Sequence, residues 1–464
     1  MVFSSPLFLF VFLPLLLICY WILPLRFRNT LLLFFSLLFY AWGEPVGVLW
    51  LLASIAWNYI AGLQVDRHED RARLQWLWLG VGANLALLAY FKYSNFIVDQ
   101  FNWFSLRIDG PLVRHDPVTL LLGISFFTFQ AISYLVDVYR REVVAQKNPA
   151  RLALYISLFP QLIAGPIVRY QEIDAELAEP RYNLRERSRG FQRFILGLAK
   201  KVLIADTLGR TADTIFGMEP ESLSTSVAWL GLGCYSLQIL YDFAGYSDMA
   251  IGLGLVFGFR FPENFLGPYR ADSMREFWRR WHQTLSRWFR DYVYIPLGGN
   301  RGRRGRTAIN LLTVFALCGL WHGAAWNFLL WGLYHGFFLA AERVPRGNWN
   351  CPRPLRHCYV LFVVMLGWVL FRSPSLDYAF AYYQQLIPGY ASAGPNGELA
   401  LYSYPLLWIM LFAGIVGLLP WGGWLAPWRR SLPGLAEALA VLLLLLTLLF
   451  VASSTYSPFI YFRF

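Results

Sequence analysis

An uncharged run of 35 residues, from Thr307 to Ala341, constrains this chain more than any other feature. About 20 apolar residues in a helix, at about 1.5 Å each, span the hydrocarbon of a bilayer. The run is therefore long enough to cross a membrane at least once. His322 lies inside it. Because an imidazole is costly in an apolar layer, we expect His322 to face an internal cavity or a partner and to serve a function.

The composition extends this interpretation to the whole chain. Of its 464 residues, 57% are hydrophobic and 15% are charged, against about 25% charged residues in soluble domains. Apolar segments recur along the chain, and their lengths predict an all-α polytopic membrane protein with about 10–13 spans. The short segments 30–43 and 358–371 are expected to be tilted, extended into their flanks or re-entrant. Since no long polar linker interrupts it, the chain 1–464 is expected to form a single integral-membrane domain.

Proline and glycine are frequent inside the apolar stretches, as in Gly165 and Pro166. Membranes tolerate such breaks where irregular backbone lines a cavity or is buried in protein. The pattern is typical of a protein built around a central tunnel, and equally typical of an ordinary transporter.

The net charge of +12 follows the positive-inside rule, under which Lys and Arg collect in cytoplasmic loops. No nucleic-acid partner is expected, because the sequence contains no soluble basic domain or recognisable module. Basic clusters at 67–73, 140–141, 181–201 and 270–306 predict the cytoplasmic side. The same rule places the N-terminus and the C-terminal tail, residues 454–464, outside the cytoplasm.

The densest cluster, residues 270–306, carries ten arginines against three acids. Within it, apolar side chains recur at three- and four-residue spacing over 272–295, and arginines occupy the other side. This spacing predicts one amphipathic helix at the cytoplasmic face, with tryptophans at the membrane interface. His282 is expected at the edge of the apolar stripe.

His322 and His282 are the candidate catalytic pair. A neutral histidine can take a proton from a hydroxyl or thiol near pH 7, and burial keeps the ring neutral. The alternative is a structural histidine whose ring nitrogens bond helix carbonyls. His335, thirteen residues after His322, is expected to be a satisfied core histidine rather than a polar group of a tunnel. The other three histidines are expected at the surface: His68, His115 and His357.

A polar stretch interrupts one apolar segment at Tyr241, Asp242, Ser247 and Asp248. Buried carboxylates need partners, and the arginines near 270–290 are the expected ones. The stretch is either a structural ion-pair network or a polar wall of a ligand channel. No metal site is expected, because none of the five cysteines forms a CxxC pair. The sequence also lacks GxSxG, P-loop and HExxH motifs, which argues against serine hydrolases, nucleotide hydrolases and zinc proteases.

A series of motifs occurs in order along the chain. They are Met1-Val-Phe-Ser-Ser5, Phe39-Tyr-Ala-Trp42, Gly123-Ile-Ser-Phe-Phe-Thr-Phe129, Phe159-Pro-Gln-Leu-Ile-Ala-Gly-Pro166, Tyr241-Asp-Phe-Ala-Gly-Tyr-Ser-Asp248, Glu276-Phe-Trp-Arg-Arg-Trp-His282, Pro296-Leu-Gly-Gly-Asn-Arg301 and Trp321-His322-Gly323. Together they resemble the membrane-bound O-acyltransferases, and most of all the bacterial alginate O-acetyltransferase branch. The resemblance is densest from residue 120 to 340. It departs from the family at Ala244, where relatives often carry serine.

The resemblance implies a bowl of helices around a central tunnel that is entered from both membrane faces. It implies that His322 is catalytic at the neck of the tunnel, and that His282 positions the acyl thioester or stabilises charge. It further implies acetyl-CoA as the acyl donor, with no permanently bound cofactor. Arginines of 270–306 would attract the phosphates of coenzyme A, although anionic lipid headgroups explain them equally well. The residues expected to bind the donor are Trp281, Trp321, Tyr241, Asp242, Ser247, Asp248, Arg279 and Arg280.

The tail Ser457-Pro-Phe-Ile-Tyr-Phe-Arg-Phe464 resembles a terminal tyrosine motif of relatives that work with periplasmic, esterase-like (SGNH-type) acetyltransferase partners. It implies that Tyr461 receives the acyl group, and an aromatic anchor at the membrane interface is the alternative. The expected function is O-acetylation of an exported polysaccharide such as alginate, from the bacterial inner membrane. Two alternatives stay open. One is transfer of D-alanine or another acyl group from a carrier-protein thioester, and the other is a lipid or polymer transporter with a polar translocation path.

Overall fold

The computed structural model describes residues 2–180, 183–343, 351–390, 398–421 and 434–453. Within these ranges the chain forms helices and no strand, which confirms the all-α prediction. The chain divides into two compact units, residues 1–190 with 253–262, and residues 191–252 with 263–464. That the chain 1–464 works as a single domain stays a prediction, and the tail 454–464 lies outside the described residues.

The first unit begins with a π-helical turn, Phe8–Phe12. Its helices are α1 (Leu13–Ile22), α2 (Leu25–Gly43), α3 (Gly47–Arg67), α4 (Asp70–Arg107), α5 (Ile124–Tyr139), α6 (Pro149–Ser157), α7 (Phe159–Leu162) and α8 (Tyr170–Ala178). Helix α9 (Leu184–Ala199) begins in this unit and ends in the second.

Aromatic rings form much of the core of the first unit. Five phenylalanines pack with ring centroids 4.9 to 6.2 Å apart, mostly tilted or edge to face: Phe3, Phe8, Phe12, Phe39 and Phe159. Such rings bury large apolar areas, and their edge-to-face contacts add specific geometry. The motif that begins at Phe159 therefore contributes to the core of this unit.

A pair of buried amides joins α3 to α4. Asn58 donates to Asn84 Oδ1 at 3.1 Å, and Asn84 donates back to Asn58 Oδ1 at 2.8 Å. Side-chain amides that bond across membrane helices hold them together where both would otherwise lack partners. The pair therefore fixes the register of two candidate membrane spans.

The second unit contains the end of α9, a π-helical segment Lys200–Ala205 and the C-terminal helices. These are α10 (Asp206–Phe216), α11 (Thr225–Phe257, whose last turn belongs to the first unit), α12 (Met274–Arg280), α13 (Gln283–Phe289), α14 (Arg304–His322), α15 (Trp326–Ala341), α16 (Arg353–Arg372), α17 (Leu376–Gln385), α18 (Pro405–Gly417) and α19 (Leu435–Ser453). Short 3₁₀ turns occur at Pro220–Ser222, Pro268–Arg270 and Leu399–Tyr402.

Four described helices are long and apolar enough to cross a membrane by length and composition: α3, α4, α16 and α19. Three shorter apolar helices occur at Phe8–Ile22, Ile124–Tyr139 and Pro405–Gly417. The apolar segment 358–371 extends into its flank and forms α16, and segment 30–43 likewise lies within α2. The polytopic character is confirmed, while the count of about 10–13 spans stays a prediction.

The 35-residue uncharged run folds as two helices, α14 and α15, with a break after His322. Glycines let the two backbones approach closely. A Cβ on Gly319 would lie 2.2 Å from the carbonyl oxygen of Phe328, and one on Gly332 would lie 2.1 Å from that of Phe315. Close crossings through small residues are typical of membrane helices. This crossing fixes the end of α14, where His322 lies.

The prediction of one amphipathic helix over 272–295 is wrong. The chain forms α12, breaks at Trp281 and His282, continues as α13, and ends in a π-helical turn, Arg290–Tyr294. Residues 264–266 bond the break: Leu266 N–H donates to the Arg280 carbonyl, and Gln283 N–H donates to the Asn264 carbonyl, both at 3.0 Å. These two bonds satisfy backbone groups that are not bonded within α12 or α13. The spacing of apolar residues carries no information about such bonds, so it did not reveal the break.

Candidate active site

A cavity of about 1690 Å³ lies within the second unit. Its walls come from α12, α13, α14, α15 and the first turns of α16. Exposed residues at its rim include Arg290, Asn300 and Gly302, whereas its inner wall includes the buried Trp281, His282 and His322. The two histidines that the sequence predicted as a pair therefore line the same cavity. A tunnel open to both membrane faces stays a prediction.

His322 is the last residue of α14 and is 4% exposed. Three aromatic rings surround its imidazole edge to face, with centroids at 4.9 Å for Trp321, 5.1 Å for Trp331 and 5.1 Å for Phe371. Trp321, Trp331 and Phe371 therefore form an apolar collar around the imidazole of His322. The collar leaves little of the ring exposed.

His282 lies between α12 and α13, outside the candidate membrane spans, and is 1% exposed. Its Nδ1 is 3.0 Å from Asn264 Oδ1. In the part of the chain that the structure describes, its Nε2 has no hydrogen-bond partner. Burial lowers the pKa of His282 to about 3, so the ring is neutral at physiological pH. The sequence placed this residue at the edge of an apolar stripe, but the structure buries it.

Trp321 links the two histidines. Its ring centroid is 6.1 Å from that of His282 and 4.9 Å from that of His322. Trp281 lines the cavity beside His282 and packs 4.9 Å from Trp368. The indole rings therefore hold the two imidazoles in fixed orientations on one wall, which is the preorganisation that a catalytic site requires.

Six arginines line the cavity: Arg275, Arg279, Arg287, Arg290, Arg343 and Arg356. Asp272 and Glu342 also line it, and Arg356 pairs with Asp272 at 2.9 Å. The excess of positive charge favours an anionic ligand, because a cleft lined by one sign of charge concentrates ions of the other. Arg280 is not part of this wall. It pairs with Glu276 and donates to the Leu266 carbonyl, so its predicted contact with the donor stays a prediction.

The carboxylates of the polar stretch do have charged partners, but the arginines near 270–290 are not among those that the structure shows. Asp242 pairs with Lys201 at 3.0 Å, and Asp248 pairs with Lys200 at 2.6 Å and with Arg193 at 2.8 Å. Lys201 is 2% exposed, so it does not belong to an exposed basic surface, and the cytoplasmic side of the cluster 181–201 stays a prediction. A buried Lys ammonium needs a carboxylate partner. The position of Lys201 in the sequence did not reveal that this partner is Asp242.

Phe243 and Ser247 of this stretch contact the site, and the ring of Phe243 packs edge to face on His282 with centroids 4.7 Å apart. Ser247 Oγ accepts a hydrogen bond from Asn264 Nδ2 at 3.0 Å, and Asn264 in turn contacts His282. Tyr241 instead donates to the Gly414 carbonyl at 2.6 Å. The cavity walls do not include Tyr241, Asp242, Ser247, Asp248 or Trp321. Their predicted roles in binding the donor stay predictions.

His335 is completely buried among aromatic rings, 5.1 Å from Trp278 and 5.0 Å from Trp331. Within the described residues neither ring nitrogen has a hydrogen-bond partner, so the prediction of a satisfied core histidine is wrong. Gly367 makes room for the ring, because a Cβ there would lie 2.6 Å from Nε2.

Sequence reasoning did not identify Asn264, Thr284, Trp331 or Phe371 as part of the site. Asn264 follows Pro262 and Glu263 in a polar interruption between apolar segments, and that interruption was the one available signal. Trp331 and Phe371 look like ordinary core aromatics in the sequence. No group of three or more His, Cys, Asp or Glu side chains that could hold a metal ion occurs within the described ranges.

Comparison with known proteins decides which family this site belongs to. The model of the membrane-bound O-acyltransferase family matches residues 49–376, which include every described residue of the cavity wall. This chain belongs to that family. It is therefore a membrane-bound acyltransferase, and the expectation drawn from its motifs is confirmed.

Relatives of this acyltransferase are similar over most of its length. The probable alginate O-acetylase AlgI of Azotobacter vinelandii is 46% identical over 82% of this chain and 77% of its own. The protein of the same name from Pseudomonas putida is 41% identical over the full length of both chains. The peptidoglycan O-acetyltransferase of Helicobacter pylori is 39% identical over 82% of this chain and 78% of its own.

Proposed function

We propose that this acyltransferase moves an acetyl group from acetyl-CoA to a hydroxyl acceptor, for the O-acetylation of an exported polysaccharide such as alginate. The observation that carries the proposal is that His282 and His322 share the wall of one cavity with six arginines. The names of the similar proteins, two alginate O-acetylases and a peptidoglycan O-acetyltransferase, support acetyl as the acyl group and a glycan as the final acceptor.

The arginines and the histidines suit the two ends of acetyl-CoA. The 3′-phosphate and diphosphate of coenzyme A are anionic, and guanidinium groups bind phosphate oxygens with paired hydrogen bonds. The pantetheine arm would extend from the arginines toward the buried wall, where it would bring the thioester to His322. A volume of about 1690 Å³ exceeds the roughly 300–1,000 Å³ of pockets for drug-sized ligands, so a nucleotide with a long arm fits.

The chemical step is acyl transfer without a metal. The acceptor oxygen attacks the thioester carbonyl carbon while His322 takes the hydroxyl proton. The carbon–sulfur bond then breaks, the thiolate of coenzyme A leaves, and the proton passes from His322 to that sulfur. A positioned base contributes about 10²–10⁴ in rate. The collar of Trp321, Trp331 and Phe371 would limit wasteful hydrolysis of the thioester by excluding water.

The acceptor side of the proposal lies outside the cytoplasm. We place the protein in a bacterial inner membrane with both termini outside, because the basic clusters predict the cytoplasmic loops. Tyr461 would accept the acetyl group at the outer face and pass it to a periplasmic esterase-like partner. This residue lies outside the described part of the chain, so the sequence alone supports its role.

The experiment compares polymer acetylation in cells that lack the native gene and carry one of three variants. With His322→Ala, acetyl content of the polymer should fall by about 10²–10⁴, the contribution of a positioned base. His115→Ala is the matched control, because His115 is exposed and bonds Asn95 far from the cavity in sequence. Its acetyl content should equal that of the wild type. Normal acetylation in the His322→Ala cells, at equal protein levels in the membrane, would refute the proposal.

The third variant, Tyr461→Phe, tests the relay through the tail. Loss of polymer acetylation, with acetyl-CoA still bound by the purified variant but its coenzyme A no longer released, supports the relay. Full polymer acetylation contradicts the relay and leaves direct transfer to another acceptor.

The purified wild-type protein tests the alternative functions. Consumption of a carrier-protein thioester but not of acetyl-CoA would show that the proposed donor, acetyl-CoA, is wrong. Consumption of neither thioester, with lipid or polymer moved across the membrane, would indicate the transporter alternative.

A further inference from the structure

Asn264 makes four polar contacts at the break between α12 and α13. Its Oδ1 lies 3.0 Å from His282 Nδ1, accepts from the Thr284 hydroxyl at 2.9 Å, and accepts from the Thr284 backbone N–H at 3.3 Å. Its Nδ2 donates to Ser247 Oγ at 3.0 Å. All four residues are buried, with Asn264 0% exposed. The amide therefore sits inside a closed network with one available orientation.

The backbone N–H of Thr284 determines that orientation. An N–H group can only donate, so the atom of Asn264 that faces it must be the carbonyl oxygen. That same oxygen faces His282 Nδ1, and an oxygen that only accepts requires Nδ1 to carry the hydrogen. In a neutral imidazole one nitrogen donates and the other accepts. Nε2 of His282 is therefore left as a bare acceptor.

The backbone holds His282 in place for this contact. Its φ is +41°, a left-handed conformation that costs free energy in any residue with a Cβ. The break is bonded to the Asn264 segment on both sides, by Leu266 N–H to the Arg280 carbonyl and by Gln283 N–H to the Asn264 carbonyl. A strained position that persists with these bonds around it is typical of functional sites.

We propose that Asn264 is a positioning residue that fixes neutral His282 with its hydrogen on Nδ1, so that Nε2 accepts a hydrogen bond from an N–H or O–H group of the substrate in the cavity. The identity of that substrate rests on the proposed function, but the tautomer does not. The resemblance implied that His282 either positions the thioester or stabilises charge. Stabilising a developing oxyanion requires a hydrogen on Nε2, which this tautomer lacks. The geometry therefore selects the positioning role.

The direct test is nitrogen-15 NMR of the full-length protein in lipid with labelled histidine. Six histidines contribute, and a His282→Gln sample identifies the signal of His282 by its absence. We expect a protonated Nδ1 and an unprotonated Nε2 at pH 7 without substrate. A protonated Nε2 would overturn the proposal. Because no acyl donor is added, this outcome is independent of whether acetyl-CoA is the donor.

Variants of Asn264 then test the positioning role. Asn264→Leu should release the tautomer, give a second set of His282 signals, and lower kcat about 5- to 150-fold, the range for leaving a buried polar group unpaired. Asn264→Asp keeps the acceptor toward Nδ1 and should restore the single tautomer. Its carboxylate favours the imidazolium, so the acid limb of its pH–rate profile should shift to higher pH.

Asn327→Leu is the matched control, because Asn327 is a buried amide of the same unit whose Nδ2 bonds the Leu370 and Ser373 carbonyls. Loss of those bonds should lower stability and leave the tautomer of His282 unchanged. If His282 keeps its hydrogen on Nδ1 in Asn264→Leu, as we expect it to do in Asn327→Leu, then Asn264 does not position His282. If Asn264→Asp keeps the wild-type pH–rate profile, the substrate does not depend on His282 Nε2.

Discussion

At the scale of single residues, the sequence indicates which side chains are candidates for catalysis better than it indicates which side chains contact each other. His322 was identified because a titratable ring in apolar sequence is rare, and His282 because it lies at the edge of an apolar stripe in a motif of the family. The structure places both on one cavity wall. Asn264 could not be identified, because its contact with His282 joins residues 18 apart that meet through a break which the sequence pattern did not reveal. The ion pair between Lys201 and Asp242 was missed for the same reason, since the two residues lie on different helices.

The backbone of His282 gives a prediction that separates strain from side-chain chemistry. His282→Ala and His282→Gly both remove the imidazole, and both should lose activity. At φ +41° glycine is unstrained, whereas alanine retains a left-handed cost of about 1–2 kcal/mol. The glycine variant should therefore unfold at a higher temperature in detergent than the alanine variant. The reverse order, which is usual inside helices, would show that the positive φ is not maintained.

At the scale of elements, periodicity predicted which faces are apolar but not where helices end. The spacing over 272–295 is compatible with one helix, and the break at His282 arises from backbone bonds to residues 264–266. That the run 307–341 crosses the membrane stays a prediction, because neither of its helices is among the four candidate spans. Its division into α14 and α15 places His322 at a helix end, in an aromatic collar built partly by α15 and α16.

The crossing of α14 and α15 should tolerate no added methyl group. In Gly319→Ala the new Cβ would lie 2.2 Å from the Phe328 carbonyl oxygen, which is backbone and cannot rotate away. Overpacking of this kind costs about 1–3 kcal/mol, so thermal stability should fall, and activity should fall with it because His322 lies one turn further on.

Gly233→Ala is the control for that substitution. It lies within α11, and no atom is within 4 Å of the added Cβ. Stability should be kept or raised by about 0.5–1 kcal/mol, because alanine is favoured over glycine inside a helix. Equal unfolding temperatures for the two variants would mean that α14 and α15 do not cross as closely as described.

At the scale of the whole molecule, composition and charge predicted the class, and motifs predicted the family. The helices and the family match show that the protein is an all-α membrane-bound acyltransferase. The site, by contrast, draws its walls from five helices of one unit and its arginines from four separate segments. A cluster of that kind is a property of tertiary packing, so only the general position of the basic region, 270–306, could be foreseen.

In the proposed function, one cavity binds acetyl-CoA with its thioester at His322. The decisive experiment is a structure of the purified protein with acetyl-CoA bound, with His322→Ala used if the wild type consumes the donor. We expect the phosphates among the arginines of the cavity and the thioester carbonyl beside position 322, with position 282 facing the pantetheine arm. Acetyl-CoA bound outside this cavity, or inside it with the thioester turned toward the rim, would refute the proposed function.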